Sequence, residues 1–499
     1  MSYLVGLDIG TSGVKGLLVS AAGKVLYSSR STYEVNNPQS GWAEQNPDNW
    51  WEATIIVLSE LQKKAREENG EIKGISLSGQ MHSSVFLDKQ DKVIRPAILW
   101  SDTRTSQACQ EIEEMVGGRE NLINLTGNIA LEGFTAPKLV WLRNNEPNNY
   151  EKIRTLLLPK DYIRFRLTGE KAMDYSDAAG TLILNVQDRC WHAEVTKKLD
   201  IDYDILPPLL DSIEVAGYLT DEVEKFTGIK KGTKVVAGGA DNACGAVGSG
   251  LIGEGRVMVS IGSSGVVLAP SANYEADPRG RLHLFNHAVP DSFYYMGVML
   301  SAGQSLSWLR NKILPDNWDY EKLNIKAEEI EPGSENLIFL PYLYGERTPH
   351  ADADARGVFF GLSSRHEQAH LARSVMEGVT FGLKDSLELI KERGIDIQRV
   401  RAIGGGARSE LWQQIIADIF GASVDLLTVK EGPAYGAALL AGVGIGLFGS
   451  LEETDKDLIE IEKTVDPNLK NVEIYQEFYQ IYSSLYPALK QNYSQLAQI

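Results

Sequence analysis

Cysteine is scarce: three in 499 residues, at 109, 190 and 244, with no Cys-x-x-Cys pair. That excludes a disulfide scaffold or a cysteine zinc cluster and suits a reducing compartment. Positive charge is also in deficit. There are 49 Lys+Arg against 67 Asp+Glu, a formal charge of −18. A surface this acidic speaks against a nucleic-acid backbone or an anionic membrane as the main partner. It leaves open small anionic ligands, which backbone N–H groups can hold locally. No low-complexity tract and no Pro/Ser-rich linker divides the chain, whose length allows two to four domains or two large ones. Long apolar runs are missing as well. The nearest to a membrane span, Gly432 to Leu451, carries six glycines and Pro433 and is flanked by Glu431 and Glu452. It reads as a buried glycine-rich helix in a soluble core. The first residues have no basic region, and Asp8 interrupts their apolar run, so no signal peptide is read there and the cytoplasm is the expected address.

What the chain does have is an internal echo. Residues 9–13 read Ile-Gly-Thr-Ser-Gly and residues 261–265 read Ile-Gly-Ser-Ser-Gly, 252 positions apart. Each copy follows an apolar run (Leu4–Leu7, Val257–Val259) and precedes another (Val14–Val19, Gly265–Leu268). Each half therefore opens with a strand, a tight small-residue turn and an antiparallel return strand. A chance match of Gly/Ser-rich pentapeptides is the alternative. The halves are not chemically equal, since Ser260 stands where the first half has Asp8. Elsewhere, Asn46-Pro47 opens a helix to about Glu68. Ile72–Ser78, Val235–Ala237, Val400–Ile403 and Val424–Val429 read as strands, and Ser409–Phe420 as a helix. The pattern is α/β in both halves, with several strands ending in glycine-rich loops, where ligands sit in open sheets.

Three segments carry chemistry. In Asp8-Ile9-Gly10-Thr11-Ser12-Gly13-Val14-Lys15 a carboxylate closes the strand. The turn beyond it can offer N–H and hydroxyl donors to phosphate, and Lys15 a point charge. The carboxylate can hold Mg²⁺, partly through water. A plain hairpin with a solvated Asp8 is the structural alternative; the second copy at Gly262-Ser263-Ser264-Gly265 favours a two-sided phosphate clamp. In Gly238-Gly239-Ala240-Asp241-Asn242 the glycines allow close approach, and an acid that can take a hydroxyl proton follows. Gly404-Gly405-Gly406-Ala407-Arg408-Ser409-Glu410 is a glycine loop opening a helix. It suits a nucleotide or sugar, or is simply a tight strand-to-helix turn. No GxxxxGK[ST] occurs. His366-Glu367-Gln368-Ala369-His370 matches a zinc-protease motif, but Ser364 to Glu367 reads as a capping box with Glu367 at N3, followed by a helix with Leu371, Val375, Met376 and Val379 at core spacing. Gly248-Ser249-Gly250-Leu251-Ile252-Gly253 matches GxGxxG without the βαβ context that would give it meaning.

Taken in order, the three segments resemble the FGGY family of carbohydrate kinases. So do Gly133 to Leu142, Leu158 to Tyr162, Ser301 to Trp308, Gly345-Glu346-Arg347-Thr348-Pro349-His350 and Gly432 to Ala438, and the likeness runs from about residue 3 to about residue 485. The resemblance implies two ribonuclease-H-like domains of the actin and hexokinase type around a cleft. They would be 1–247, binding sugar and supplying the base, and 248–499, binding nucleotide. Gly79-Gln80-Met81-His82, Leu99-Trp100-Ser101-Asp102 and Ser176 to Thr181 point to ATP-dependent phosphorylation of D-xylulose rather than glycerol. Another pentulose or polyol, or a non-catalytic ATP- and sugar-binding regulator, is the alternative. By the same resemblance Asp241 is the catalytic base and Asp8 places Mg²⁺. Thr11, Ser12 and Lys15 hold phosphate from one side, Ser263 and Ser264 from the other. Gly303, Gly405, Gly406 and Glu410 line the nucleotide, and Met81, His82, Asp241 and Asn242 contact the sugar. Without the family context His82 reads as a satisfied core histidine. Expected partners are a small sugar, ATP and Mg²⁺, with no nucleic acid and no membrane; a homodimer is compatible with the sequence.

Overall fold

The computed structural model describes residues 1–499. Six strands form the first sheet: β1 (Ser2–Ile9), β2 (Gly13–Ser20), β3 (Val25–Thr32), β4 (Glu71–Gly79), β5 (Val215–Tyr218) and β6 (Lys234–Ala240), in the order β5-β6-β4-β1-β2-β3. Seven form the second: β7 (Arg256–Ile261), β8 (Gly265–Ser271), β9 (His283–Asn286), β10 (Phe293–Met299), β11 (Arg399–Ile403), β12 (Ser423–Leu427) and β13 (Ile461–Val465), in the order β9-β10-β8-β7-β11-β12-β13. With β9 set aside, the orders coincide. In each sheet the hairpin strand pairs antiparallel on both sides, the first strand pairs parallel with a later one, and that one pairs parallel with the next. An antiparallel strand closes the far edge of both. The echoed pentapeptides are thus the turns of equivalent hairpins. Leu4, Val5, Leu7 and Ile9 of β1 are all fully buried, as a central strand covered on both faces requires.

The helices follow their local signals. Helix α1 (Pro47–Glu67) opens on Asn46, whose side chain accepts from Asp48 N, with Pro47 at the first helical position. Its Trp50, Ala53, Val57, Leu58 and Leu61 recur at helical spacing and are buried against β2 and β3. Helix α2 (Pro159–Thr168) lies beside β4, and α3 (Asp241–Gly248) begins where β6 ends. Helix α4 (Gln368–Glu392) starts three residues later than the sequence indicates. Glu367 is its N-cap, not its N3 residue, and His370 Nδ1 accepts from Glu367 N at 3.0 Å. His366 therefore lies outside the helix, its Nδ1 accepting from Ser363 N, and the two histidines do not share the helical face a zinc site needs. Helix α5 (Glu410–Phe420) matches the expected 409–420 except at its first residue, where Ser409 is the N-cap, its side chain accepting from Trp412 N.

The uncharged stretch contains α6 (Gly432–Gly444), which is buried in the interior; a separate helix opens at Leu451. No helix is long and apolar enough to cross a membrane. Although α6 belongs to the second half in sequence, it lies between β1 of the first sheet and α3. Backbones nearly touch there. A Cβ at Gly436 would sit 1.8 Å from Cys244 O, one at Gly248 2.1 Å from Gly432 O, and one at Gly6 1.9 Å from Ala434 O. One apolar cluster of 101 residues spans both halves, and a second, of 28, lies between the first sheet and α1, so the core is continuous across the midpoint of the chain.

Candidate active site

Asp8 ends β1 between Lys15 on β2 and Ser78 on β4. Burial raises its carboxyl to about 6, against the lowering effects of the Ser78 hydroxyl and the Lys15 charge. Its Oδ1 is buried with no hydrogen-bond partner. In the following turn Thr11 Oγ1 accepts from Trp100 Nε1 at 2.9 Å, and Ser12 Oγ accepts from Arg30 at 3.2 Å. Lys15 is not free. Its Nζ pairs with Glu431 Oε1 at 3.1 Å, reaching across to the residue just ahead of α6.

Asp241 is the first residue of α3. Asn242 donates to its Oδ1 twice, from the backbone N at 2.7 Å and from Nδ2 at 3.0 Å. Burial raises its carboxyl to about 7; the nearby Asp8 charge adds to this and the Asn242 bonds oppose it. Behind it runs a buried polar chain. Ala240 N donates to Ser176 Oγ at 2.9 Å, Ser176 N to Asp174 Oδ2 at 2.8 Å, and Asp174 pairs with Lys160 Nζ at 2.6 Å. Lys160 also pairs with Asp161 at 2.6 Å and Asp177 at 3.0 Å, every one of these side chains fully buried. Three clustered carboxylates resemble a metal cage, but the ammonium already occupies it. Burial alone would lower Lys160; the carboxylates hold it above its ordinary range.

A cavity of about 250 Å³ gathers Met81, His82, Asp241 and Asn242, the four residues expected at the sugar, together with Ser264. His82 has φ +67°, a strained value for a residue with a side chain. Three bonds hold it there. Nδ1–H donates to Gly180 O at 2.6 Å, and the His82 carbonyl accepts from Thr135 Oγ1 and Lys138 Nζ, each at 2.9 Å. Burial drives its pKa down to about 3, the Gly180 bond opposing and the Lys138 and Arg347 charges adding. The ring is neutral at physiological pH, with Nε2 left as an acceptor. Met81 Sδ lies 3.8 Å from Asn242 Nδ2.

A second cavity, of about 540 Å³, holds Gly262, Ser263, Gly303, Gly405 and Gly406. Gly303 N donates to Gly262 O at 2.8 Å, and a Cβ at Gly303 would lie 2.4 Å from that oxygen. Glu410 is not in this group. It lies on a neighbouring depression, 85% exposed, with Oε1 paired to Lys463 at 2.9 Å. The N-cap Ser409 takes the place in the cavity wall, with Tyr320 and Trp412. Ser409 lies in the glycine loop singled out in the sequence, but Tyr320 lies far off in sequence without a motif. On the smaller cavity Trp100, Phe134, His283 and Arg347 were likewise not singled out as site residues; Trp100, Phe134 and Arg347 lie in segments that carried the family resemblance alone. Ser263 lines the larger cavity and Ser264 the smaller, so the two cavities meet at one hairpin turn. The arrangement has room for a small polyhydroxy compound beside a larger ligand, with Asp241 in the smaller cavity and Asp8 close enough to act on it.

Comparison with known proteins shows the family. The model of the FGGY family of carbohydrate kinases, N-terminal domain, matches residues 3–248, and that of the C-terminal domain matches 257–445. The chain is 44% identical over 490 residues to the xylulose kinase of Bacillus subtilis (strain 168), covering 98% of both chains. To that of Lactococcus lactis subsp. lactis (strain IL1403) it is 43% identical over 488 residues, covering 97% of both. The crystal structure of ligand-bound xylulose kinase from Lactobacillus acidophilus superposes with a TM-score of 0.95 at 29% identity, over 99% of this chain and 100% of that one.

Proposed function

The chain belongs to the FGGY family of carbohydrate kinases, and from that premise we propose that it transfers the terminal phosphoryl group of ATP to D-xylulose, giving D-xylulose 5-phosphate. The full-length relatives named xylulose kinase support the choice of sugar. The observation that carries the reading is the shared turn: a sugar-sized cavity containing Asp241 opens at Ser263–Ser264 onto a larger cavity floored by glycines.

Phosphoryl transfer asks for positioning and charge stabilisation more than covalent catalysis. Asp241 takes the proton of the C5 hydroxyl as the bond to phosphorus forms. With its pKa raised to about 7 it is a stronger base than an ordinary aspartate, and still available at neutral pH. Met81, His82 and Asn242 orient the sugar, His82 accepting a hydroxyl hydrogen at Nε2. Thr11 and Ser12 from one hairpin and Ser263 and Ser264 from its counterpart hold the phosphates. Lys15 joins them once released from Glu431. Gly303, Gly405 and Gly406, with Ser409, line the nucleoside. Magnesium fits this donor set, because Asp8 offers a buried oxygen with no partner and crowds a second carboxylate. Asp8 would hold the ion, partly through water, and the ion when bound neutralises charge on the phosphates. The three free cysteines accord with a reducing cytoplasm.

The test is ADP release from MgATP with D-xylulose, D- and L-ribulose, D-gluconate, glycerol, xylitol and no sugar. A rate dominated by D-xylulose is expected. Asp241→Asn should lower it by about 10²–10⁴-fold while nucleotide still binds. Turnover surviving in that variant would remove Asp241 from the mechanism, and a different preferred sugar would correct the substrate.

A further inference from the structure

Arg347 stands in the wall of the smaller cavity, on the segment between β10 and α4. Its backbone is fixed. Thr348 N donates to Val298 O at 3.0 Å, Val298 N donates to Thr348 Oγ1 at 3.1 Å, and Glu346 Oε1 accepts from Leu300 N and Arg347 N. The guanidinium, by contrast, makes no hydrogen bond and no ion pair. The adjacent carboxyl does not neutralise it. Glu346 is turned onto backbone N–H groups, and burial raises it to about 8, so it is protonated at neutral pH. Glu132 acts on Arg347 at a distance while its own Oε1 accepts from Ser106. Burial lowers the guanidinium below its ordinary range. A desolvated cation facing a ligand cavity without a partner is costly unless the ligand supplies one.

Its position within the cavity is informative. His82 and His283 both feel the Arg347 charge, and burial keeps both rings neutral. Along β10, Thr348 is bonded to Val298, whereas Met81, which contacts Asn242 beside the base, meets the Tyr294 hydroxyl four residues back on the same face of the strand. Base and cation therefore stand at different ends, and a sugar with its terminal hydroxyl at Asp241 presents its other end to Arg347. A guanidinium only donates, whereas a hydroxyl brings a hydrogen that needs an acceptor. The partner that matches it best is an acceptor-only oxygen. In an open-chain ketose that is the C2 carbonyl.

Building on the assignment of D-xylulose as substrate, we propose that Arg347 is a specificity-determining residue that binds the C2 carbonyl oxygen of the ketose at the end of the cavity opposite Asp241. The polyol of the same length, xylitol, has a hydroxyl in place of that carbonyl, so the guanidinium meets an oxygen that brings its own hydrogen.

The experiment compares D-xylulose and xylitol in steady state at saturating MgATP, for the wild type, Arg347→Met and Arg347→Lys. Arg347→Met should raise the KM for D-xylulose about 10- to 100-fold, with the KM for ATP changed less than about 2-fold. The preference for D-xylulose over xylitol should fall by a similar factor, and Arg347→Lys should recover part of it. An unchanged preference, or a loss confined to kcat, overturns the proposal. ATP binding and thermal melting show whether each variant is folded; if the Met variant is not, the preference ratio of the Lys variant decides. If the wild type phosphorylates a different ketose, the substrate assignment fails, and that ketose against its own alditol still decides Arg347. If it phosphorylates no ketose, both fail.

Discussion

Asp241 trades stability for chemistry. Its carboxyl titrates near 7 in the folded chain and near 4 when unfolded. Below pH 4 both states carry the proton and nothing is lost. As pH rises from 4 through 7 the unfolded chain ionises first, and the folded state loses stability, by up to about 4 kcal/mol. Asp241→Asn keeps the acceptor for the Asn242 N–H and removes the charge. Without nucleotide or sugar it should melt above the wild type, by more at pH 8 than at pH 5. Thermal melts at the two pH values check this; a gain independent of pH would show that ionisation is not the cause. The same titration predicts a wild-type rate that falls about tenfold per unit below pH 7. For this residue the sequence suggests a role but not the tuning, which comes first from burial, which no local pattern reveals, and then from Asp8, 233 residues away in the chain.

Single elements were legible wherever their signals are local. Asn46-Pro47 opens the helix it was expected to open, the helix expected over 409–420 forms with Ser409 as its cap, and both hairpins form around the echoed pentapeptides. Helix α4 shows the limit. Ser364 and Glu367 have the spacing of a capping box, yet Glu367 itself is the cap, because His370 Nδ1 reaches its backbone N. Two caps compete over four residues, and packing decides between them. The glycines of α6 show the other limit: they read as a buried helix, but not as one pressed against α3. Gly436→Val should cost about 1–3 kcal/mol or more in a denaturant titration, since its side chain would collide with the Cys244 carbonyl and neither helix can yield easily. Valine tolerated without loss would mean the two helices can separate freely.

At the scale of the whole molecule, the duplicated sheets make a symmetric frame with asymmetric chemistry, because Ser260 stands where Asp8 does. An ion pair crosses between the halves, Lys15 to Glu431, each side chain about one-third exposed (36% and 34%). At that exposure the pair contributes roughly 0.2–1 kcal/mol. Glu431→Gln should leave melting nearly unchanged and, by freeing Lys15, lower the KM for ATP by up to about 5-fold at low salt, less as ionic strength rises. ATP titrations at two salt concentrations test this. A raised KM would show that Lys15 serves the phosphates only when Glu431 holds it in place.

The placement of α6 also bears on biosynthesis. The face of β1 that it covers is made by residues 2–9, and its cover by residues 432–444, which are synthesised more than 400 residues later. Gly6, Leu4 and Gly74 face contacts with Ala434, Gly442 and Ile445. Until those residues emerge, the nascent first half shows water an apolar sheet face shaped for a helix that does not yet exist. The chain thus passes through a long interval in which its earlier half is unfinished, and native closure of the first sheet waits for residues 432–444.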